Sequence, residues 1–248
     1  MLTCGFRLES VLAESGLVIA VFKFVLLIFS LSVHECAHAW MASRLGDQTA
    51  RLQGRVTLNP MYHIDPFGTL LFPAIAIFGP FVGLGMFSGM LIGWAKPTPV
   101  IPRNFRKIVR DGNTVTLAGP VSNLLLVVLA MVVLIVIEHA VPGGHEIVIF
   151  TLRGGLLQGV NSGLQATVLL SVLAILINLS LFFFNLLPIP PLDGSHLLRN
   201  TLPYNAVQVY DRIPMWASWL LMILVGGYIL RMLIGPALAL VFFVLTHI

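Results

Sequence analysis

Charged residues are scarce in this sequence. Among 248 residues, 14 are Lys or Arg and 10 are Asp or Glu, so charged side chains make up 10% of the chain and hydrophobic ones 58%. The mean hydropathy is +0.96. Because a soluble domain carries about 25% charged residues, this composition excludes a soluble globular protein. It indicates an integral membrane protein with most of its length in the bilayer.

Cysteine is also rare. The two cysteines, Cys4 and Cys36, lie in different sequence environments, which excludes a disulfide framework. The net charge is only +4, and in a membrane protein we interpret its distribution as topology, with no nucleic-acid partner. No internal repeat or low-complexity tract is present. We therefore expect residues 1–248 to form a single integral-membrane domain.

Four apolar runs are long enough to span a bilayer. They cover residues 17–41, 114–137, 164–187 and 215–234. At about 1.5 Å per helical residue, each reaches the roughly 30 Å of a hydrocarbon core. We expect Gly235-Pro236 to interrupt the last run and residues 237–248 to form a re-entrant or interfacial tail. The predicted fold is an all-α polytopic membrane protein with about four to six membrane segments.

The apolar stretch 67–94 has the length of a span but is punctuated by Pro and Gly. Basic residues flank it on both sides: Arg44, Arg51 and Arg55 before it, and Lys96, Arg103, Arg106, Lys107 and Arg110 after it. Since basic flanks stay in the cytoplasm, a single crossing would put one flank on the wrong side. We therefore predict a membrane-embedded hairpin that returns to the cytoplasmic side, with the N-terminus outside.

Three ionisable residues interrupt the first apolar run, in "SVHECAHAW" (32–40). Around a helix, His34, Glu35 and His38 fall at roughly 0°, 100° and 40°. The two imidazoles therefore share one face, with a spacing suited to binding one zinc ion. Glu35 lies close to the same metal position but is badly placed to be a ligand, which suggests a role other than ligation. Ionisable residues inside a span mark function by default. The alternative is a chance pattern that serves interhelical hydrogen bonding.

A catalytic zinc requires a third protein ligand and an open position for water. The candidate is Asp193 in "NLLPIPPLDGSH" (185–196), where the prolines must break the third span. A carboxylate just beyond that break can turn inward at a depth similar to that of the histidines. The alternative for this motif is an ordinary helix-capping turn.

Together these motifs resemble the site-2 protease family of intramembrane zinc metalloproteases. The pairing of "HECAH" (34–38) with "NLLPIPPLDG" (185–194) carries the resemblance, and "LAGPVSN" (117–123) matches the family's signature in the intervening span. "RLQGRVTLNP" (51–60) and "HIDPFGT" (63–69) are similar to the compact branch, which lacks PDZ or CBS domains. The resemblance covers roughly residues 17–200. One departure is His196, where arginine or another polar residue is expected, and it offers a rival metal donor.

The resemblance implies one Zn²⁺ per chain, with His34, His38 and Asp193 as ligands. It implies Glu35 as the catalytic base and Asn185 as a group that orients substrate or stabilises the oxyanion. The substrate is then a transmembrane or membrane-anchored protein, cut within or near its membrane segment. Because a helix shields its own peptide bonds, the substrate must unwind locally. "TARLQGRVTL" (49–58) predicts a short cytoplasmic-side β-hairpin that could hold it as an added strand, the alternative being a plain loop.

Two function classes follow from these patterns. The favoured one is a multi-pass protease of the cell membrane, in contact with the lipid bilayer, with its active site toward the cytoplasm. The alternative is a non-proteolytic membrane protein that binds or transports metal. Glu35 discriminates between them, because a transporter needs ligands but no general base beside them. The oligomeric state is not indicated by any pattern.

Overall fold

The computed structural model describes residues 2–85, 94–155 and 162–247. Within these residues the regular elements are helical. The α-helices are α1 (Leu2–Arg44), α2 (Thr49–Leu52), α3 (Phe72–Phe78), α4 (Ile108–Ala140), α5 (Gly144–Leu152), α6 (Ser162–Asn185), α7 (Asp193–Thr201), α8 (Tyr204–Tyr210), α9 (Met215–Leu221) and α10 (Gly227–His247). Short 3₁₀ turns cover Pro60–Tyr62, Gly79–Val82 and Pro102–Asn104, and π-helical turns cover Pro66–Leu71 and Met222–Gly226.

Among the residues that the structure describes, four helical stretches are long and apolar enough to cross a membrane, which confirms a multi-pass membrane fold. They are Gly16–Arg44, Ile108–Ala140, Ser162–Asn185 and Met215–His247. The first, second and fourth stretches contain the predicted spans 17–41, 114–137 and 215–234, while the third begins two residues before the predicted span 164–187 and also ends two residues before its end. The chain therefore meets the expected minimum of four membrane segments.

The predicted interruption at Gly235-Pro236 is wrong, since α10 runs through Pro236 to His247. Proline removes one backbone donor, and membrane helices tolerate that loss where neighbouring groups compensate. Here the residues after Pro236 are packed, because Val241 and Leu245 are buried in a cluster with residues of α4 and α6. Packing of the residues after Pro236 therefore outweighs the tendency of Gly235-Pro236 to end the helix.

The predicted β-hairpin at 49–58 is also wrong. Residues Thr49–Leu52 form α2, and the part of the chain that the structure describes contains no strand. Gly54 adopts φ +72°, its N–H donates to Arg51 O (2.9 Å), and Arg55 N–H donates to Ala50 O (2.9 Å). This is the Schellman pattern that ends a helix on a glycine. The backbone groups needed for a strand ladder are therefore used within one turn.

The three long helices α1, α4 and α6 pack together and share one end. At this end the His38 Nδ1–H donates to Val115 O near the start of α4 (2.8 Å), and Asn200 Nδ2 donates to Asn113 Oδ1 (2.6 Å). The far ends of α4 and α6 bury a core with α5 and α10 that includes Leu134, Val148 and Leu245. The C-terminus of α1, the N-terminus of α4 and the C-terminus of α6 therefore meet.

The two ends of the stretch 67–94 lie side by side. Trp94 N–H donates to Gly68 O (3.2 Å), and Thr69 Oγ1 donates to Trp94 O (2.8 Å). The aromatic rings of Phe72 and Trp94 are 5.5 Å apart. The chain thus returns to its starting point, while residues 86–93 of the predicted hairpin lie outside the described residues.

Candidate active site

Two histidines of α1 face each other near the shared end of α1, α4 and α6. His34 and His38 are one helical turn apart and both are buried, and their Nε2 atoms are 3.0 Å apart. The buried face of α1 here lies against α4. The spacing therefore presents two imidazole nitrogens to one point, as the sequence predicts.

Asp193 reaches the same point from the start of α7. Helix α6 ends at Asn185, the proline-rich segment turns the chain, and Asp193 begins α7. Asp193 Oδ2 lies 3.1 Å from His34 Nε2 and 3.3 Å from His38 Nε2. The turn depends on Gly194, since a Cβ there would lie 2.2 Å from Leu186 O. The close approach of two backbone segments thus explains the glycine that follows the aspartate.

The outer nitrogens of the two imidazoles have partners that define their tautomers. His38 Nδ1 is 2.8 Å from the carbonyl oxygen of Val115, which can only accept, so this nitrogen carries the proton. His34 Nδ1 is 2.7 Å from Asn123 Oδ1 and donates to it in the same way. In the neutral imidazoles, both Nε2 atoms therefore present lone pairs to the shared point.

This donor set fits a zinc ion. Two lone pairs and a carboxylate oxygen face one another within 3.3 Å, and Asp193 Oδ2 is buried without a hydrogen-bond donor. Such an arrangement is repulsive unless a cation lies between the three atoms. Ligands at about 2.0–2.2 Å from a tetrahedral zinc stand about 3.3–3.6 Å apart, close to the separations here. His34, His38 and Asp193 could therefore hold Zn²⁺ with little movement.

Glu35 belongs to the same cluster but has a different partner. The ligand atoms of Glu35, His34 and His38 all lie within 4.8 Å of one another. One carboxylate oxygen of Glu35, Oε2, accepts hydrogen bonds from Thr98 Oγ1 (2.8 Å) and Thr98 N (3.1 Å). Thr98 lies in the segment that leads from Trp94 to α4, so this segment holds Glu35 beside the histidines.

A cavity of about 1260 Å³ opens onto this cluster. Its lining includes Thr98, Asn185 and His196 together with apolar side chains of α1, α4 and α6. The cavity offers an apolar chamber large enough for a peptide segment beside the cluster.

The side-chain amide of Asn185 donates a hydrogen bond to Leu181 O of its own helix (3.0 Å). His63 is buried away from the cluster, and its Nε2 donates a hydrogen bond to Thr57 O (2.8 Å).

Sequence reasoning missed several residues that shape this site. Thr98 carries no motif signal, and its contact with Glu35 joins positions 63 residues apart. Gly119 was noticed only as part of a signature, yet it lies against both imidazoles. Asn123 stands out only as the last residue of the same signature, and the sequence does not indicate its contact with His34. Polar residues inside an apolar helix were the available signal for Asn123.

Comparisons with known proteins agree with this geometry. A family model described as peptidase family M50 matches residues 22–226. The chain is 41% identical over 179 residues to "Putative zinc metalloprotease YwhC" of Bacillus subtilis (strain 168), covering 72% of this chain and 68% of the relative. It is 29% identical over 220 residues to "Putative zinc metalloprotease Rip2" of Mycolicibacterium smegmatis, covering 89% and 69%. No solved structure matches the chain significantly.

Proposed function

The chain belongs to peptidase family M50 and is an intramembrane zinc metalloprotease, and we propose that it cuts membrane-protein substrates within or near their transmembrane segments. His34, His38 and Asp193 hold the zinc, Glu35 is the general base, and Asn185 assists at the substrate carbonyl. Residues 1–248 act as a single integral-membrane domain. The proposed partners are the lipid bilayer and a transmembrane or membrane-anchored protein.

One observation carries the proposed ligand set. His34 Nε2, His38 Nε2 and Asp193 Oδ2 converge within 3.3 Å from α1 and from the start of α7. The buried carboxylate oxygen lacks a hydrogen-bond donor there. Three such atoms leave room for a water or a substrate oxygen as the fourth ligand, which is the pattern of catalytic zinc sites.

In the proposed reaction, a zinc ion held by His34, His38 and Asp193 would supply Lewis acidity, which polarises a peptide carbonyl and lowers the pKa of a water molecule toward about 7. Glu35 accepts the proton of the attacking water and passes it to the leaving amine nitrogen. Thr98 holds the Glu35 carboxylate through Oε2 during these transfers. Asn185 lines the cavity, and its amide reaches the substrate carbonyl oxygen once it releases Leu181 O.

The active site faces the cytoplasm in this proposal, and the protein lies in the cell membrane. The shared end of α1, α4 and α6 carries an exposed basic cluster on its flanks: Arg44, Arg51, Arg103, Arg106, Lys107 and Arg110. Basic flanks of this kind favour the cytoplasmic side. The adjacent ends of the stretch 67–94 support a membrane-embedded hairpin that returns to that side, with the N-terminus outside.

Glu35→Gln is the variant that tests the mechanism. The change is nearly isosteric and leaves the proposed ligands in place, so we expect the purified protein to retain one zinc per chain. Cleavage of a membrane substrate should fall by about 10²–10⁴-fold, because the general base is lost. Zinc content and cleavage rate would be measured on the same detergent-purified sample.

Asp193→Ala is the matched control, since it removes a proposed ligand and should lower the zinc content. A Glu35→Gln protein that holds zinc and cuts at the wild-type rate contradicts the proposed mechanism. Loss of zinc in Glu35→Gln would instead make Glu35 a ligand. Full zinc retention in Asp193→Ala would remove that residue from the site and favour His196 as the third donor.

A further inference from the structure

Two buried asparagines form a chain of hydrogen bonds that ends on His34. Asn178 Nδ2 donates to Ala174 O (2.9 Å), Asn123 Nδ2 donates to Asn178 Oδ1 (2.9 Å), and His34 Nδ1 donates to Asn123 Oδ1 (2.7 Å). Both amides are almost fully buried, with Asn123 0% and Asn178 1% exposed. The chain therefore connects α6 to α1 through α4 without contact with solvent.

The direction of this chain is determined at its first bond. The carbonyl oxygen of Ala174 can only accept, so Asn178 must turn its NH₂ toward it and its oxygen toward Asn123. That oxygen in turn can only accept, so Asn123 must offer its NH₂ to Asn178 and its own oxygen to His34. His34 then keeps its proton on Nδ1 and presents the lone pair of Nε2.

We propose that Asn178 is a positioning residue for the zinc site, and that it fixes the tautomer and ring orientation of His34 through Asn123. The inference rests on the zinc site proposed above and adds a residue that acts on one of its ligands indirectly. Groups that hold the outer nitrogen of a metal-ligating histidine commonly change metal affinity 10- to 100-fold when they are removed. Asn178 touches neither the histidine nor the proposed metal position, so its effect depends on the orientation of the Asn123 amide.

The test is a double-mutant cycle on zinc affinity, measured by chelator competition on the full chain in detergent. Asn178→Leu keeps the side-chain size but removes the acceptor for Asn123, which frees that amide to rotate. We expect this variant to bind zinc about tenfold more weakly than the wild type. In an Asn123→Asp background the same change should have no effect, because a carboxylate offers an oxygen to His34 in either rotation.

A general disturbance of packing would weaken zinc binding by Asn178→Leu in both backgrounds, and that result overturns the proposal. Unchanged affinity in the Asn178→Leu single variant overturns it as well. Ser171→Ala is the matched control, since Ser171 lies seven residues earlier on the same face of α6 and donates to Thr167 O of its own helix (2.9 Å). Its zinc affinity should equal that of the wild type.

Failure of the zinc site itself gives a different pattern. A wild-type chain without zinc, or a His34→Ala variant with wild-type affinity, would reject the ligand set and with it the role of Asn178. Zinc binding that His34→Ala abolishes but Asn178→Leu leaves intact rejects only the positioning role.

Discussion

Gly119 lies against the two imidazoles. A Cβ added there would lie 2.4 Å from His38 Nε2 and 2.6 Å from His34 Nε2. Real Cβ atoms do not approach other atoms this closely, and both rings are held by their outer nitrogens. Any side chain at this position must therefore displace the donor atoms themselves.

We expect Gly119→Ala to reduce zinc affinity at least tenfold, because the methyl group enters the space between the rings. The better helix propensity of alanine, about 1 kcal/mol, acts on folding and cannot restore the geometry of the donors. Zinc content after dialysis against a weak chelator measures the effect. Gly112→Ala, seven residues earlier on α4 with open space around it, should keep its zinc. Equal zinc content in both variants would contradict the crowding argument.

At the scale of elements, Asp47 joins the end of α1 to the segment before α4. Its side chain is fully buried. Oδ1 accepts from Thr49 N (3.1 Å) and Asn104 Nδ2 (2.9 Å), and Oδ2 accepts from Ile101 N (2.6 Å). The segment held in this way also carries Thr98, so Asp47 supports the group that contacts Glu35.

Asp47→Ala should lower the free energy of unfolding by about 1–3 kcal/mol at neutral pH, because it leaves buried donors unpaired. Burial raises the pKa of Asp47, but the hydrogen bonds from Ile101, Thr49 and Asn104 outweigh it and hold the pKa below its ordinary value. A lowered pKa in the folded state stabilises the protein above about pH 4, the pKa of an aspartate in the unfolded chain. This contribution to stability is lost as the pH falls through the lower pKa of Asp47 in the folded protein.

Equilibrium unfolding in mixed micelles at several pH values measures the difference in the free energy of unfolding between the wild type and Asp47→Ala. This difference should become smaller at acid pH. Asp211→Ala is the matched control, since Asp211 is an exposed carboxylate that pairs with Arg199 (2.8 Å). An exposed pair contributes little to stability, so this variant should stay near the wild type. A larger loss in Asp211→Ala than in Asp47→Ala would contradict the role given to Asp47.

At the scale of the whole molecule, the two ends of the stretch 67–94 determine the topology. Since Trp94 returns to Gly68, the residues before and after the stretch should face the same compartment. Two exposed positions report on this arrangement, Gln53 before the stretch and Lys107 after it. Pro142, in the exposed turn between α4 and α5, should face the opposite side.

Cysteines placed singly at Gln53, Lys107 and Pro142, in a chain with Cys4 and Cys36 replaced by alanine, test this topology. An impermeant thiol reagent added outside intact cells should label only the Pro142→Cys variant. Breaking the cells should expose the other two to the reagent. Opposite labelling of Gln53→Cys and Lys107→Cys in intact cells would mean that the stretch 67–94 crosses the membrane fully.

Features that depend on local geometry could be predicted from the sequence. The lengths of the apolar runs predict four spans, and a helix long enough to cross the membrane lies at each of them, because helices in a bilayer must satisfy their own backbone groups. The spacing of His34 and His38 predicted their shared face, because one turn of helix brings them together wherever the helix packs. The stretch 49–58 carries a local signal too, but its Gly54 ends a helix, where the pattern predicts a β-hairpin.

Contacts between distant parts of the chain could not be predicted from the sequence and became visible in the three-dimensional arrangement of the helices. The bonds Thr98–Glu35, Asn123–His34 and Asn123–Asn178 join residues 63, 89 and 55 positions apart. Packing also carried α10 through Pro236, against its local break signal. Such contacts depend on how helices cross and rotate in the bundle, and that arrangement is a property of side-chain packing between helices.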